Sequence, residues 1–512
     1  MNIINIKKLS ALFFGVALIA GSGCKKFLEE RDPSNLTPEA FYTIPEHAEA
    51  AIAAAYANTR FMGNGAGIFV NNFQMLEALT GTAKQETGQN SDLNNLSGLG
   101  YNSDNLMVRN WWNGLYSVIA QTNLVLDKVP GITPMDEAQK KRILGEAQFL
   151  RAWSYFYLVR LYGDVPLIVK PVNAESPELL PVKSPMDAVY KQILDDLTAA
   201  ETSGLPWTDA TGRVSLGAIK TLLSKVHLTM AGFPMNKGAA SYQLAATKAN
   251  EVITSNSYTL FANYNDLHNI ATENRGEHIF QIQYLASVAG NPNQGVLLPN
   301  FKGVSAYGTE IGSTVPTNQF YQSFEPGDLR KVDRQGFFYT SYYTEGSGPL
   351  KDLSAPYIFK HFDEIAHGTL GKAGTTMSDL NWMNMRYAEV LLTYAEAQNE
   401  VGGPTQAAWN ALNAIRTRAR LTTPALGTFT QATFRQAVWR ERWHELCYEG
   451  ITWFDMVRLR KVYNEATNGF NDFVGHKFAD NGAVLQAKHL FLPLPTNELR
   501  NNPNLVQNDA WK

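Results

Sequence analysis

The side chains best able to do chemistry in this chain do not assemble into a catalytic signature. His444-Glu445 opens like the helix of a zinc protease, but Tyr448 stands where the second histidine ligand belongs. Gly368 to Lys372 lacks the spacing and the Ser or Thr of a phosphate loop, and no Gly-x-Ser-x-Gly elbow occurs. The nine histidines are scattered without metal-ligand spacing. A carboxylate pair for glycoside hydrolysis needs only to meet in space, so sequence order neither shows nor denies one. No active site, metal or cofactor is expected.

What is concentrated is aromatic surface. Phe301, Tyr307, Phe320, Tyr321, Phe324, Phe337, Phe338, Tyr339, Tyr342 and Tyr343 follow one another closely, interleaved with Gly, Ser, Thr and Lys. A pyranose offers an apolar C–H face to a ring and hydroxyls to the side chains around it, so this composition suits sugar. The competing reading makes most of these rings the core of a region short of aliphatics. Amides come from the stretch between Phe61 and Asn105, with asparagines at 64, 71, 72, 90, 94, 95, 102 and 105. The ligand site is expected where the two segments converge. Asn71, Asn72 and Tyr101 would hydrogen-bond, and Tyr307, Tyr339, Tyr342 and Tyr343 would stack, tyrosine being favoured because its hydroxyl tolerates water.

With 512 residues, 45% of them apolar, the chain is long enough for a large core. A net charge of -3 provides no basic field for nucleic acid. Lys7 and Lys8 precede an apolar run, Leu9 to Ala20, that is too short to span a bilayer and has the layout of a signal peptide. Gly21-Ser22-Gly23-Cys24 resembles a lipobox, with Gly21 in place of the usual leucine. Residues 1–23 are therefore expected to be removed, Cys24 to carry lipid that tethers the protein to a membrane, and 24–43 to form a leader. Cys447 then has no disulfide partner.

The rest reads as helices arranged to carry those segments. Thr43-Ile44-Pro45-Glu46 is an N-terminal cap for an alanine-rich helix through Tyr56, and much of Phe61 to Asn105 reads as loop. Asn110 to Val129 and Gln139 to Tyr162 form a hairpin, the second helix with Ile143, Ala147, Leu150, Trp153, Tyr157 and Leu161 on one face. Thr133 and Ser184, each before a proline, read as caps. Leu216 to Met230, Ser241 to Ser255, Arg386 to Glu400, Thr405 to Arg420 and Gln431 to Tyr448 are further helices. Paired in sequence, they predict a mainly α, tetratricopeptide-like hairpin scaffold. It is interrupted at about 261–379 by an irregular, loop-rich insertion with short strands such as His278 to Leu285. Residues 44–512 would form one domain, with the helical frame at about 44–260 and 380–512.

Read in order, several short motifs resemble the SusD/RagB family of outer-membrane nutrient-binding lipoproteins. They are Phe27-Leu28-Glu29; Trp112-Asn113-Gly114-Leu115-Tyr116 with Asn123; Gly145 to Ala152 with Arg151; and Tyr162-Gly163-Asp164. Further on come Gly327-Asp328-Leu329-Arg330, Arg386-Tyr387-Ala388-Glu389, Arg416-x-Arg418-Ala419, Glu441-Arg442 with Glu445 and Glu449-Gly450, Trp453-Phe454-Asp455, and Asn502-Pro503-Asn504-Leu505. Ile451-Thr452 and the Ala510-Trp511-Lys512 end depart from the family pattern. The resemblance implies a non-enzymatic protein at the outer membrane. It would capture oligosaccharide and deliver it to a TonB-dependent transporter of the SusC type, with helices facing the transporter and loops facing ligand. The alternatives are a helical-repeat protein that binds peptides or proteins, and a glycoside hydrolase.

Overall fold

The computed structural model describes residues 41–64, 71–86, 88, 90–176, 179–297, 313–343, 350–363 and 378–512. Its frame is built from α1 (Pro45–Thr59), the short α2 (Gln74–Ala78) and α3 (Ser91–Ser97), α4 (Leu106–Lys128), α5 (Glu137–Tyr162) and α6 (Met186–Glu201). It continues with α7 (Leu216–Ala231), α8 (Gly238–Thr254), α9 (Tyr387–Gly402), α10 (Gln406–Arg418), α11 (Gln431–Glu445) and α12 (Thr452–Leu459). Neighbours pack as hairpins: α4 on α5, α5 on α6, α7 on α8, and α8 on α9 across the insertion. The fold is mainly α, as expected. None of the described helices is long and apolar enough to cross a membrane.

The periodic apolar face of α5 is buried as expected, but so is almost every residue from Gly145 to Tyr162. A helix enclosed on all sides by other elements buries its polar residues too, and each needs a partner. Arg151 finds one in Asp196 of α6, at 2.6 Å, and a second in the Asn123 carboxamide of α4 at 2.9 Å. Gly163 ends the helix with φ +77°, a conformation that favours glycine.

Three helix starts correct the expected caps. Ile44, not Thr43, is the N-cap residue of α1, and no side chain caps it. Asp136, not Thr133, caps α5, its carboxylate accepting the Gln139 N–H at 2.8 Å. At α6 the Met186 N–H goes to Asp164 of the preceding loop at 2.9 Å rather than to Ser184. At both of these starts an aspartate within reach supplies a charged acceptor at the positive end of the helix dipole. α11 stops at Glu445, short of Tyr448, because Tyr448 and Gly450 take left-handed backbone, with φ of 63° and 70°.

The insertion contributes antiparallel two-stranded ribbons to this frame. β1 (Ala83–Lys84) pairs with β3 (Val315–Pro316), β2 (His278–Ile282) with β6 (Trp382–Arg386), and β4 (Phe338–Tyr343) with β5 (Leu350–Ile358). A further ribbon, β7 (Lys461–Asn464) with β8 (Gly469–Asp472), follows α12. His278 lies opposite Arg386 and Ile282 opposite Trp382. Rings of the insertion join those of α4 and α5 in one apolar core, while Leu391, Leu412, Ile415, Phe434 and Val438 form a second cluster among α9, α10 and α11.

Ion pairs inside the protein bind insertion to frame. Arg386, fully buried at the end of β6, donates to Glu277 at 2.8 Å, to Glu445 at 2.7 Å and to Glu449 at 2.8 Å. Arg418 reaches Glu277 and Glu445, Arg330 reaches Asp328, Glu441 and Glu445, and Lys360 reaches Glu449. Burial alone would raise the Glu449 carboxyl. Arg386 and Lys360 outweigh it and hold the pKa down to about 2.

Removing one member of such a network strands the others. Arg386→Met should therefore cost on the order of 3–5 kcal/mol in a denaturant titration. The carboxylate contribution is complete above the ordinary value of 4.5 and is lost as pH falls toward about 2. Glu449→Gln should accordingly flatten the acid limb of the stability profile, and an unchanged limb would contradict that assignment.

Candidate functional site

The insertion and the Asn-rich stretch do converge, but as interior. β1 pairs with β3, and the Gln74 carboxamide donates to Ser313 Oγ at 3.0 Å. Asn71 is buried, its Nδ2 donating to the Pro292 carbonyl at 3.1 Å and to Asn293 Oδ1 at 2.8 Å. Tyr339 and Tyr342 are fully buried in β4. Tyr339 donates to the Leu297 carbonyl at 2.6 Å and stacks on Tyr357 and Phe362, each with centroids 5.4 Å away. Tyr101 lies elsewhere, buried against His489 and Trp511 near the C-terminus, and burial pushes its phenol pKa up.

None of these three rings presents a face to a ligand, which corrects the stacking and hydrogen-bonding roles expected for them. Phe320, Phe324, Phe337 and Phe338 are buried as well, so aromatic residues make the core of a segment short of aliphatics. Tyr343 closes β4, and its side chain, like Tyr307 and Cys24, lies outside the described residues.

Asn72 leads to a different place. Its Nδ2 donates to the Phe61 carbonyl at 2.7 Å and to the Asn64 carbonyl, and its Oδ1 accepts from Asn110 Nδ2 at 3.1 Å. Its backbone carbonyl accepts the Trp111 indole N–H at 2.7 Å. Phe73 N–H closes the same turn onto the Met62 carbonyl at 2.8 Å. Buried and fully engaged, Asn72 is a post that fixes the chain leaving α1 against the start of α4.

Around that post opens a cleft of about 410 Å³ lined by Asn58, Phe61, Asn64, Asn110, Asn113 and Ser117. The Phe61 ring packs edge-on to Trp111 at 5.3 Å and sits against Gly114 so closely that a Cβ there would come within 2.2 Å of it. Asn64 and Asn113 are exposed, and their side chains have no hydrogen-bond partner among the described residues. Asn58 spends one amide proton on the Ser117 carbonyl at 3.1 Å and keeps its carbonyl oxygen free. A ring beside neutral groups that both donate and accept matches a sugar face and its hydroxyls.

Asn110, Asn113, Gly114 and Ser117 recur at helical spacing. That stripe is the sequence signal for the cleft, and it falls within a motif that reads as family identity.

A larger groove, about 710 Å³, lies across the exposed Asn113–Ser117 ridge of α4. It is lined mainly by Ile119, Leu124, Ile168, Val172, Leu179 and Leu180. Tyr116 and Asn502 are engaged, donating to the Pro166 and Pro181 carbonyls at 2.8 Å each, while Lys170 and Asn501 put polar side chains at its rim. Against that mainly apolar lining, the smaller cleft sets the Phe61 ring beside Asn58, Asn64 and Asn113, so the smaller cleft is the better match to a sugar. Among the described residues no cluster of His, Cys, Asp and Glu could hold a metal ion.

A tetratricopeptide-like helical frame carrying one long insertion defines a class of protein, and the comparisons name it. Residues 321–511 match the SusD family model, and residues 26–228 match a family model described as starch-binding associating with outer membrane. A SusD superfamily protein from Parabacteroides distasonis, known from a crystal structure, is 37% identical. That alignment covers 93% of this chain and all of the other, with a TM-score of 0.85. The chain belongs to the SusD family. SusD-like protein P2 of Formosa agariphila is 28% identical, with 98% of this chain and 99% of its own covered. A solved laminarin binding SusD-like protein is 25% identical over 91% of this chain and all of its own, with a TM-score of 0.73.

Gly114→Ala should displace the Phe61 ring and cost about 1–3 kcal/mol as an overpacking change. In a Phe61→Ala background the same substitution should cost nothing further, because alanine is the better helix former. Equal costs in both backgrounds would show that the ring is not what the glycine accommodates.

Proposed function

We propose that this protein is a glycan-binding lipoprotein of the outer membrane that holds oligosaccharide in the cleft between α1 and α4 and passes it to a TonB-dependent, SusC-like transporter. The observation that carries this reading is the cleft itself, with a ring seated beside amides that have hydrogen-bonding capacity to spare. The laminarin binding relative supports the ligand class. Lipid on Cys24 supplies the tether, in keeping with the outer-membrane description of the matching family model.

No step of bond making is assigned to the cleft, because no ionisable side chain lines it among the described residues. The apolar groove, bordered by the exposed Leu179, Leu180 and Val182, serves as the surface toward the transporter. Exposed apolar surface of this extent marks protein contact, and a stacked-helix frame presents it on a firm support.

The ligand test is affinity electrophoresis through gels containing neutral polysaccharides, laminarin first, followed by calorimetry with oligosaccharides of the one retained. Asn64 and Asn113 are exposed, so Asn64→Ala with Asn113→Ala should leave the melting temperature unchanged. At about 1 kcal/mol for each hydrogen bond, affinity should fall on the order of tenfold or more. Unaltered affinity would remove the cleft as the site.

For the partner, Leu179→Asp with Leu180→Asp should release the co-expressed transporter during purification while glycan retention persists. Co-purification at the parental level would place the contact elsewhere.

A further inference from the structure

Among the described residues the cleft is uncharged. Its lining, Asn58, Phe61, Asn64, Asn72, Asn110, Asn113 and Ser117 with Ala57 and Gly114, contains no Lys, Arg, His, Asp or Glu. Residues 65 to 70, which join the Asn64 side of the cleft to Asn71 in sequence, carry no ionisable side chain either. Arg60, next to Phe61, is committed elsewhere, its Nε donating to the Gln283 carbonyl at 2.8 Å. Arg109, beside Asn110 on α4, does not line the cleft, and the buried arginines 330, 386 and 418 are each paired to carboxylates in the network under the insertion.

Asparagine amides pair equally well with the donor and the acceptor side of a hydroxyl. They give a carboxylate or sulfate only neutral donors, without the charge that offsets its lost hydration. Water leaving the Phe61 ring and the amides favours a ligand whose polar groups are hydroxyls alone. A ligand carrying carboxylate or sulfate would have to keep those groups in solvent or bind with the charge uncompensated.

Resting on the glycan reading above, we infer that the cleft selects neutral oligosaccharide segments and discriminates against uronic acid and sulfated sugars. The selection is made by what the α1–α4 cleft lacks, and one residue should be enough to change it. Ala57 is exposed on α1 and lines the cleft with no polar side chain of its own, so a lysine there would place an ammonium beside the ligand without removing an amide or disturbing the Asn72 post.

The experiment uses the full chain and one polysaccharide in two forms. The neutral polysaccharide retained most strongly in the electrophoretic panel is compared with the same material after oxidation of part of its primary alcohols to carboxylates. The oxidised form should bind at least tenfold more weakly, and binding of the neutral form should change little between low and high salt. Ala57→Lys should raise affinity for the oxidised form several-fold in a salt-sensitive manner and hold the neutral form within a few-fold of the parent.

Equal or tighter binding of the oxidised form by the parent would overturn the selectivity while leaving the glycan reading intact. So would failure of Ala57→Lys to improve it. Retention of no polysaccharide at all would overturn the glycan reading itself, and the selectivity with it.

Discussion

Arg386 is the point on which the architecture turns, because a guanidinium with no exposed surface must be surrounded by acceptors or the fold is lost. Its partners come from separate parts of the chain: Glu277 beside β2, Glu445 at the end of α11, and Glu449 in the turn beyond it. Arg418 at the end of α10 and Arg330 from the insertion share those carboxylates. The insertion therefore cannot rest on the helices as a loose cover. A half-satisfied ionic network in a low-dielectric interior costs more than an apolar core, so helices and insertion must assemble together. A second set, Arg442 and Arg458 with Asp455 and Glu396, does the same for α9, α11 and α12.

This explains why the family was legible and the site was not. Arg386, Arg416, Arg418, Glu441, Glu445, Glu449, Asp328 and Arg330 belong to the motifs that carried the resemblance, and they are members of the buried network. Arg151 and Asn123, from the same motifs, hold α5 to its neighbours in a separate buried cluster with Asp196. Such motifs record how the frame is locked and are silent about ligand. The helical hairpins were legible for a simpler reason, since period and loop length report local geometry. Sequence alone does not place the caps expected at Thr133 and Ser184, because the choice between two nearby acceptors depends on tertiary approach, as when Asp164 takes the Met186 N–H.

The aromatic run misled through composition. Tyrosine combines an apolar ring with a hydroxyl that a core will accept once it finds a carbonyl, and Tyr339 finds that of Leu297. A dense run of rings is evidence of exposure only where aliphatic residues are present to make the core instead, and in β4 they are scarce. The amide cleft has the opposite character. Its residues are ordinary singly, come from the end of α1 and the first half of α4, and become a site only when Asn72 draws the intervening chain inward. Only the 110, 113, 114, 117 spacing was visible in advance.

The placement of that cleft carries its own consequence. Asn113 and Ser117 face the cleft on one side and the apolar groove on the other, so one exposed ridge of α4 separates the two surfaces. α4 is pinned beneath by α5, through Arg151 on Asn123 and Tyr162 on the Val108 carbonyl at 2.6 Å. A ridge fixed this way would not need to reorganise for a ligand seated in the cleft, so little binding energy would be lost to ordering. A partner seated in the groove would touch the same ridge from behind. Communication between a bound glycan and such a partner would then pass through a rigid helix only one side chain thick, by contact and exclusion, without any conformational change in the frame.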